Sequence, residues 1–309
     1  MYEEFFGLKE MPFSLLPNAE FMFYSKRHSR VINLLEYGIV NQSGFMVVSG
    51  DVGAGKTTII RHLLGKLASS VTVGIISNPS QSIGSLRSWI ASAFELDDFG
   101  NDELKAHEEF VKFLLEEYAG GRSTLLIIDE AQNMTPQMLE DLRMLSNINN
   151  ERDMLLQIIL MGQPELLTTL KLPELRQFVQ RISVHYHLTS LSVSDTLGYI
   201  RHRLNVAGST YEIFDDLACT AVHYFSFGIP RLINLLCDQT MMYAFAEDEK
   251  TINFRTVAEV VADRNSSGLS AFRPIRDDMT ENELLMIILY ELKRSQDKYQ
   301  DEKKYQIPA

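Results

Sequence analysis

Gly50-Asp51-Val52-Gly53-Ala54-Gly55-Lys56-Thr57 is the stretch that decides the fold. It satisfies the phosphate-binding pattern G-x-x-x-x-G-K-[ST] at every required position. The residues ahead of it, Phe45-Met46-Val47-Val48-Ser49, are apolar and β-prone, as a buried strand requires. Those after it, from Thr58 to Leu67, carry Ile59, Ile60, Leu63, Leu64 and Leu67 at helical spacing. Strand, glycine loop and helix therefore come in the order that phosphate binding needs. The glycines let the main chain wrap an anion closely, and the N–H groups of the helix start point at it. Gly50 through Thr58 would thus hold a nucleoside triphosphate, ATP. Lys56 would reach its β- and γ-phosphates, and the Thr57 hydroxyl would take a Mg²⁺ position.

A second run supplies the acidic half of such a site. Leu125-Leu126-Ile127-Ile128-Asp129-Glu130 is an apolar strand ending in two carboxylates, and its end is expected beside the glycine loop. Asp129 would orient Mg²⁺ or its water, and Glu130 would polarise the water that attacks the γ-phosphate. The strand Leu155 to Met161 runs into Gly162-Gln163, whose amide would bond both γ-phosphate and water. The strand Val71 to Ile76 runs into Ser77-Asn78, and Asn78 would hold Glu130 away from the water until a partner engages. Hydrolysis builds negative charge on the γ-phosphoryl oxygens, which an arginine stabilises. Arg231, at the helix start Gly228-Ile229-Pro230-Arg231, would reach back to the nucleotide. Arg176 and Arg181, in Leu175-Arg176-Gln177-Phe178-Val179-Gln180-Arg181, would enter a neighbouring subunit's site.

The composition frames these motifs. A chain of 309 residues holds one large or two smaller domains with ample core. Its 45% hydrophobic and 23% charged content is that of a soluble globular protein. The two cysteines, Cys219 and Cys237, sit in apolar helical surroundings and read as core residues of a reducing compartment. The acidic start Met1-Tyr2-Glu3-Glu4 has no basic signal region, and no apolar run reaches the length of a membrane span, so a cytoplasmic location is expected. The net charge of −12 opposes nucleic-acid binding as the main task, because such proteins present a basic footprint.

Along the chain, residues 44–190 alternate apolar strands with amphipathic helices. This is the pattern of an αβα sandwich around a parallel sheet. Four strands are nearly continuous apolar runs. The fifth, Val184-His185-Tyr186-His187-Leu188, alternates and is expected at an edge. From Ser192 onward the pattern is helical, over Ser194–Ala207, Phe214–Phe225, Pro230–Ala246 and Phe254–Ala262. The expected division is an α/β nucleotide-binding domain over 1–190, a helical lid over 191–264, and a linker with a terminal helix over 265–309. That last helix starts in a capping box, Thr280-Glu281-Asn282-Glu283, with Leu285, Ile288, Leu289 and Leu292 on one face.

On these residues the chain resembles an AAA+ ATPase. Walker A lies at Gly50–Thr57, Walker B at Leu125–Glu130, a sensor-1 position at Gln163 and a sensor-2 arginine at Arg231. More narrowly it resembles the ExeA or general secretion pathway protein A group. The supporting text is Asp129-Glu130-Ala131-Gln132-Asn133, Met161-Gly162-Gln163-Pro164-Glu165-Leu166, and Leu175-Arg176-Gln177 through Gln180-Arg181-Ile182. Phe6-Gly7-Leu8, Pro12-Phe13 and Leu35-Glu36-Tyr37-Gly38-Ile39 are similar to that group's opening. The resemblance places Phe13 and Tyr24 to His28 near the adenine. The long secretion members carry a membrane span and a peptidoglycan-binding domain, where this chain has its 265–309 tail.

The resemblance implies an ATP-hydrolysing, Mg²⁺-dependent oligomeric motor or switch, a ring or filament. It would act on a membrane-associated secretion, pilus or polysaccharide-export assembly. A second expectation is a DNA-bound regulator like the related TnsC-type and TniB-type transposition ATPases. Lys26, Arg27 and Arg30, or Arg201, His202 and Arg203, are its candidate contacts. A third is the ATPase sensor subunit of a defence complex, docking through the tail helix.

Overall fold

Phe45–Gly50 (β1), Val71–Ile76 (β2), Ser123–Ile128 (β3), Leu156–Gly162 (β4) and Ile182–Leu188 (β5) pair into one parallel sheet. Their order is β2-β3-β4-β1-β5. The computed structural model describes residues 1–16, 18–67, 69–80, 84–97, 103–149, 154–268, 270–276 and 278–304. Helix α1 (Tyr2–Phe6) opens the chain. Helices α2 (Lys26–Val40), α3 (Lys56–Lys66), α4 (Leu86–Ala93), α5 (Glu103–Ala119), α6 (Pro136–Leu145), α7 (Pro164–Leu170) and α8 (Arg176–Val179) interleave with the strands. After β5 come α9 (Val193–Val206), α10 (Asp216–Ser226), α11 (Pro230–Ala246), α12 (Phe254–Ser266) and α13 (Glu281–Lys304).

The chain divides into two compact units. The α/β unit comprises Lys26–Val52 and Ile59–Thr189. Its three central strands β3, β4 and β1 are almost wholly buried, as their unbroken apolar text demands. Phe45, Val47, Leu126, Ile128, Ile158 and Leu160 line one sheet face, closed by side chains of α4 to α8. Each fully buried Leu or Ile contributes about 1.5–3 kcal/mol relative to exposure, so the sheet centre fixes the register of every strand end. The alternating strand β5 takes one edge, as its text implies, with His185 and His187 exposed. Val71–Ile76 differs from the expectation of a fully covered strand. As β2 it is the other edge, its first three residues half-buried and Ile75 exposed.

The helical unit comprises Ser190–Ala309, the short segment Gly53–Thr58, and Met1–Ser25. The expected boundary near 190 coincides with a unit boundary. Residues 1–25, expected with the α/β domain, pack instead with the helices. Tyr2, Phe6, Leu8, Phe13 and Phe21 share one core with Ile200, Phe214, Phe225, Leu236 and Val257. A polar clasp reinforces this. The buried Arg203 donates to the Pro12 and Ser14 carbonyls and to the Tyr199 hydroxyl, and its guanidinium lies 4.9 Å from the Phe21 ring centre. Six aromatic residues within the first 23, Tyr2, Phe5, Phe6, Phe13, Phe21 and Phe23, are costly to leave in water, which is why the segment needs a core to enter. Cys219 and Cys237 lie fully inside this core, and burial pushes both thiols up, so they stay inert.

Helix α13 starts in the expected box. Thr280 Oγ1 accepts from Glu283 N at 3.3 Å, and Glu283 Oε2 accepts from Thr280 N at 2.8 Å. It lies against α9 and α10 of its own unit. The buried residues are Leu284 and Ile288, whereas Leu289, expected on that face, is exposed. The docking stripe is therefore one position earlier than the text suggests.

Candidate active site

Parallel register brings the informative residues to one edge of the sheet. Ile128 at the end of β3 pairs with Leu160 of β4, and Gly162 at the end of β4 pairs with Ser49 of β1. Strand β4 therefore lies between the glycine-loop strand and the Walker B strand. The end of β3 is not the immediate neighbour expected. The interposed strand presents Gln163 instead, so a polar amide occupies the middle of this edge.

Asp129 and Glu130 follow β3 directly. Asp129 is buried, and its Oδ1 accepts from the Glu130 main-chain N at 2.9 Å. Glu130 has φ +53° and ψ +36°, a left-handed conformation that costs a non-glycine residue about 1 kcal/mol or more. The strain is offset by side-chain bonds. Glu130 Oε2 accepts from Gln132 Nε2 at 2.5 Å and from Gln163 Nε2 at 3.2 Å. Gln132 Oε1 in turn accepts from the Gln163 main-chain N at 2.9 Å.

Asn78 is not part of this web. Its side-chain oxygen accepts from Asn133 Nδ2 at 2.9 Å. The reason is local: Ala131–Asn133 is a 3₁₀ turn, and successive residues of such a turn point about 120° apart. Gln132 thus faces the end of β4 while Asn133 faces Asn78 after β2. The expectation that Asn78 restrains Glu130 is corrected to Gln132 and Gln163. Gln132 was quoted within Asp129–Asn133 but given no role; a long amide two residues beyond a strand-terminal acid, in a turn, was the signal for one.

The loop itself has the conformation its glycines allow. Gly53 has φ +78°, and a Cβ there would come within 2.6 Å of Arg231 Cβ, so only glycine fits. Arg231 N donates to Gly53 O at 3.3 Å. Asp51, Val52 and Thr57 are exposed, Gly53, Gly55 and Thr58 half-buried, and Gly50, Ala54 and Lys56 buried. Helix α3 begins at Lys56, so the main-chain N–H groups of its first turn follow directly from the loop. Arg231 opens α11 behind Pro230 at the first helical position, and its side chain is exposed.

The turn before Arg231 is braced from the tail. Arg273 N donates to Phe225 O at 2.8 Å, and its guanidinium lies 4.2 Å from the Tyr224 ring centre and 4.8 Å from that of Phe227. Below them His223 bonds Thr196 Oγ1 through Nδ1 at 3.0 Å, and burial, with Arg273 nearby, pushes its imidazole down to about 4.

The two remaining arginines differ. Arg181 Nη1 donates to Ser146 Oγ at 3.2 Å and Arg143 O at 3.4 Å, capping the carbonyl end of α6. Arg176, at the start of α8, is exposed and has no side-chain hydrogen bond or ion pair among the described residues. Of the basic clusters, Arg201 is paired at 2.6 Å with both Glu212 and Asp216, and Arg203 is buried under the N-terminal segment. Arg201 and Arg203 thus make their side-chain bonds within the helical unit.

Sheet order and glycine loop together define the class: the chain carries a P-loop ATPase domain of the AAA type. The AAA domain family matches residues 40–170. The chain is 40% identical over 290 residues to general secretion pathway protein A of Aeromonas hydrophila, a match covering 94% of this chain and 52% of that protein. It thus spans about half the length of that relative. Among solved structures it is similar to the Aeropyrum pernix ORC2 protein in its ADP form, with TM-score 0.59, 15% identity, and 81% and 71% of the two chains covered. It is also similar to Cdc6p from Pyrobaculum aerophilum, with TM-score 0.58, 17% identity, and 86% and 70% covered. At these identities the likeness is one of fold. No helix among the described residues is long and apolar enough to cross a membrane.

Proposed function

We propose that this chain binds ATP with Mg²⁺ on the Gly50–Thr58 loop, hydrolyses it, and works as an oligomeric switch. The observation that carries the reading is the carboxylate of Glu130, held by two amides at the end of β3 on a left-handed backbone. Evolution tolerates such strain where it positions a reacting group. Lys56 and the main-chain N–H groups hold the phosphates, and Gln163 bonds the γ-phosphate. A hydroxyl and a carboxylate, Thr57 and Asp129, are donors of the type Mg²⁺ takes alongside phosphate oxygens and water. The ion would supply positive charge that offsets the charge of the phosphates. Glu130 takes the proton of the attacking water.

Two arginines answer the charge that develops. Arg231 acts within the chain, and its bond to Gly53 lies on the loop itself. Arg176, exposed and unengaged, is the better candidate for a neighbour's site than Arg181, which is committed to α6. Similarity to general secretion pathway protein A supports a secretion-type assembly as the partner that reads the switch.

The test is a pair of variants. Glu130→Gln is expected to bind ATP as the parent does, slow hydrolysis by about 10³-fold, and accumulate as the assembled, ATP-bound form. Lys56→Ala is expected to lose ATP binding. Hydrolysis at parental rate in Glu130→Gln, or parental ATP affinity in Lys56→Ala, overturns the reading.

A further inference from the structure

We propose that Gln132 is a positioning residue for hydrolysis: it anchors one oxygen of Glu130 so that the other is presented to the attacking water. The inference rests on the ATPase reading above and adds a residue to it.

The orientation of the Gln132 amide is settled by its partners. A main-chain N–H can only donate, so the atom 2.9 Å from Gln163 N must be the amide oxygen. The NH₂ end is then the one facing Glu130, at 2.5 Å from Oε2. Gln132 therefore spans the ends of β3 and β4 with both ends engaged. Its own main chain is equally constrained. A Cβ on Gly162 would come within 3.2 Å of Gln132 N and 2.8 Å of Leu166 Cδ2, so glycine at the end of β4 lets the turn sit close.

The two oxygens of Glu130 are treated unequally. Oε2 accepts both amide donors, whereas Oε1 has no protein partner among the described residues. A carboxylate gripped on one oxygen has a fixed plane and one lone-pair set open, which is the arrangement a general base needs. The transfer balances simply: a water proton goes to Oε1 while the water oxygen bonds phosphorus and the bond to the departing ADP oxygen breaks. Gln163 cannot do the anchoring alone. When its side-chain amide turns to the γ-phosphate, it leaves Oε2, and Gln132 becomes the one remaining side-chain anchor. Its grip then tracks the position of β4, because its oxygen is tied to the Gln163 main chain.

Misplacing a reacting group by about 1 Å lowers a rate by ~10²-fold. Gln132→Met keeps length and shape without the two bonds, and Gln132→Glu keeps an acceptor for Gln163 N but turns a like charge on Glu130. Both are expected to lower kcat by at least about tenfold, Gln132→Glu the more severely, with KM for ATP and affinity for a fluorescent ATP analogue within twofold of parent. Their melting temperatures should stay near the parental value. Because Gln132 works through Glu130, the double variant Glu130→Gln/Gln132→Met should be no slower than Glu130→Gln alone. Parental kcat in Gln132→Met, a loss that appears in KM, or a double variant slower by the full product of the two losses overturns the assignment of Gln132. A parent without ATPase activity, or a Glu130→Gln variant as fast as the parent, overturns the ATPase reading itself and the proposal with it.

Discussion

The α/β unit and the helical unit use polar side chains in opposite ways. In the α/β unit, Glu130, Gln132 and Gln163 bond to one another at strand ends and stay half-exposed. In the helical unit, Arg201, Arg203 and Arg273 bond to acids, carbonyls and aromatic rings of their own unit, and Arg231 alone of these four stands exposed without a side-chain bond among the described residues. A sheet fixes its strand ends through register, so it can leave chemistry unsupported by packing. A bundle of short helices has no such register, so its cations are used to set the angles between elements. An arginine in the helical unit is therefore structural unless shown otherwise, while a polar residue at the sheet edge is functional unless shown otherwise.

The largest expected effect attacks the helical unit. Phe13→Ala removes a fully buried ring from its core and should cost about 3–5 kcal/mol there. Hydrogen exchange should show α9 to α12 opening while β1, β3 and β4 keep their protection. Equal loss in both units would erase the distinction. Next is acid. His223 stays neutral in the fold down to about 4, whereas in the unfolded chain it takes a proton near its ordinary 6.5. The unfolded state binds more protons between those values, so stability should rise from pH 4 to 6.5 and level off above. The term amounts to about 2 kcal/mol at pH 5. Melting of parent and His223→Gln at pH 5 and pH 7 reads it, and an unchanged pH dependence in His223→Gln refutes it. The smallest effects separate the α/β unit's own arginines. Arg176→Ala should slow hydrolysis by the assembled protein at least about tenfold without moving its melting point. Arg181→Ala should do the reverse, losing about 1 kcal/mol of stability with hydrolysis near parental.

The legible part of the molecule is the part written locally. Strand, glycine loop and helix around Gly50–Thr57 follow from a pattern within about 25 residues. All five strands appear close to their expected bounds, because four nearly continuous apolar runs and one alternating run leave little else for them to be. The alternation in Val184–Leu188 correctly implied an edge. What escaped was written across distance. Nothing between Met1 and Ser25 says that Phe6 and Phe13 pair with residues 190 positions later. Asn78 was given the partner that Gln132 holds, because the choice depends on the direction in which a three-residue turn aims consecutive side chains. Leu289 was placed on the buried stripe of α13 because a spacing of three or four fits two faces, and the neighbouring helices choose between them.

The alliance of Met1–Ser25 with the helices after Ser190 has a consequence for how the molecule is made. During synthesis Phe6 and Phe13 emerge well before their core partners after Ser190, so these side chains wait unpaired while the intervening sheet is made. The sheet unit, whose strands all lie between residues 45 and 188, can settle early; the bundle closes only when the helices after Ser190 arrive. The large sequence separation of these partners makes that closure slower than pairing between neighbouring elements.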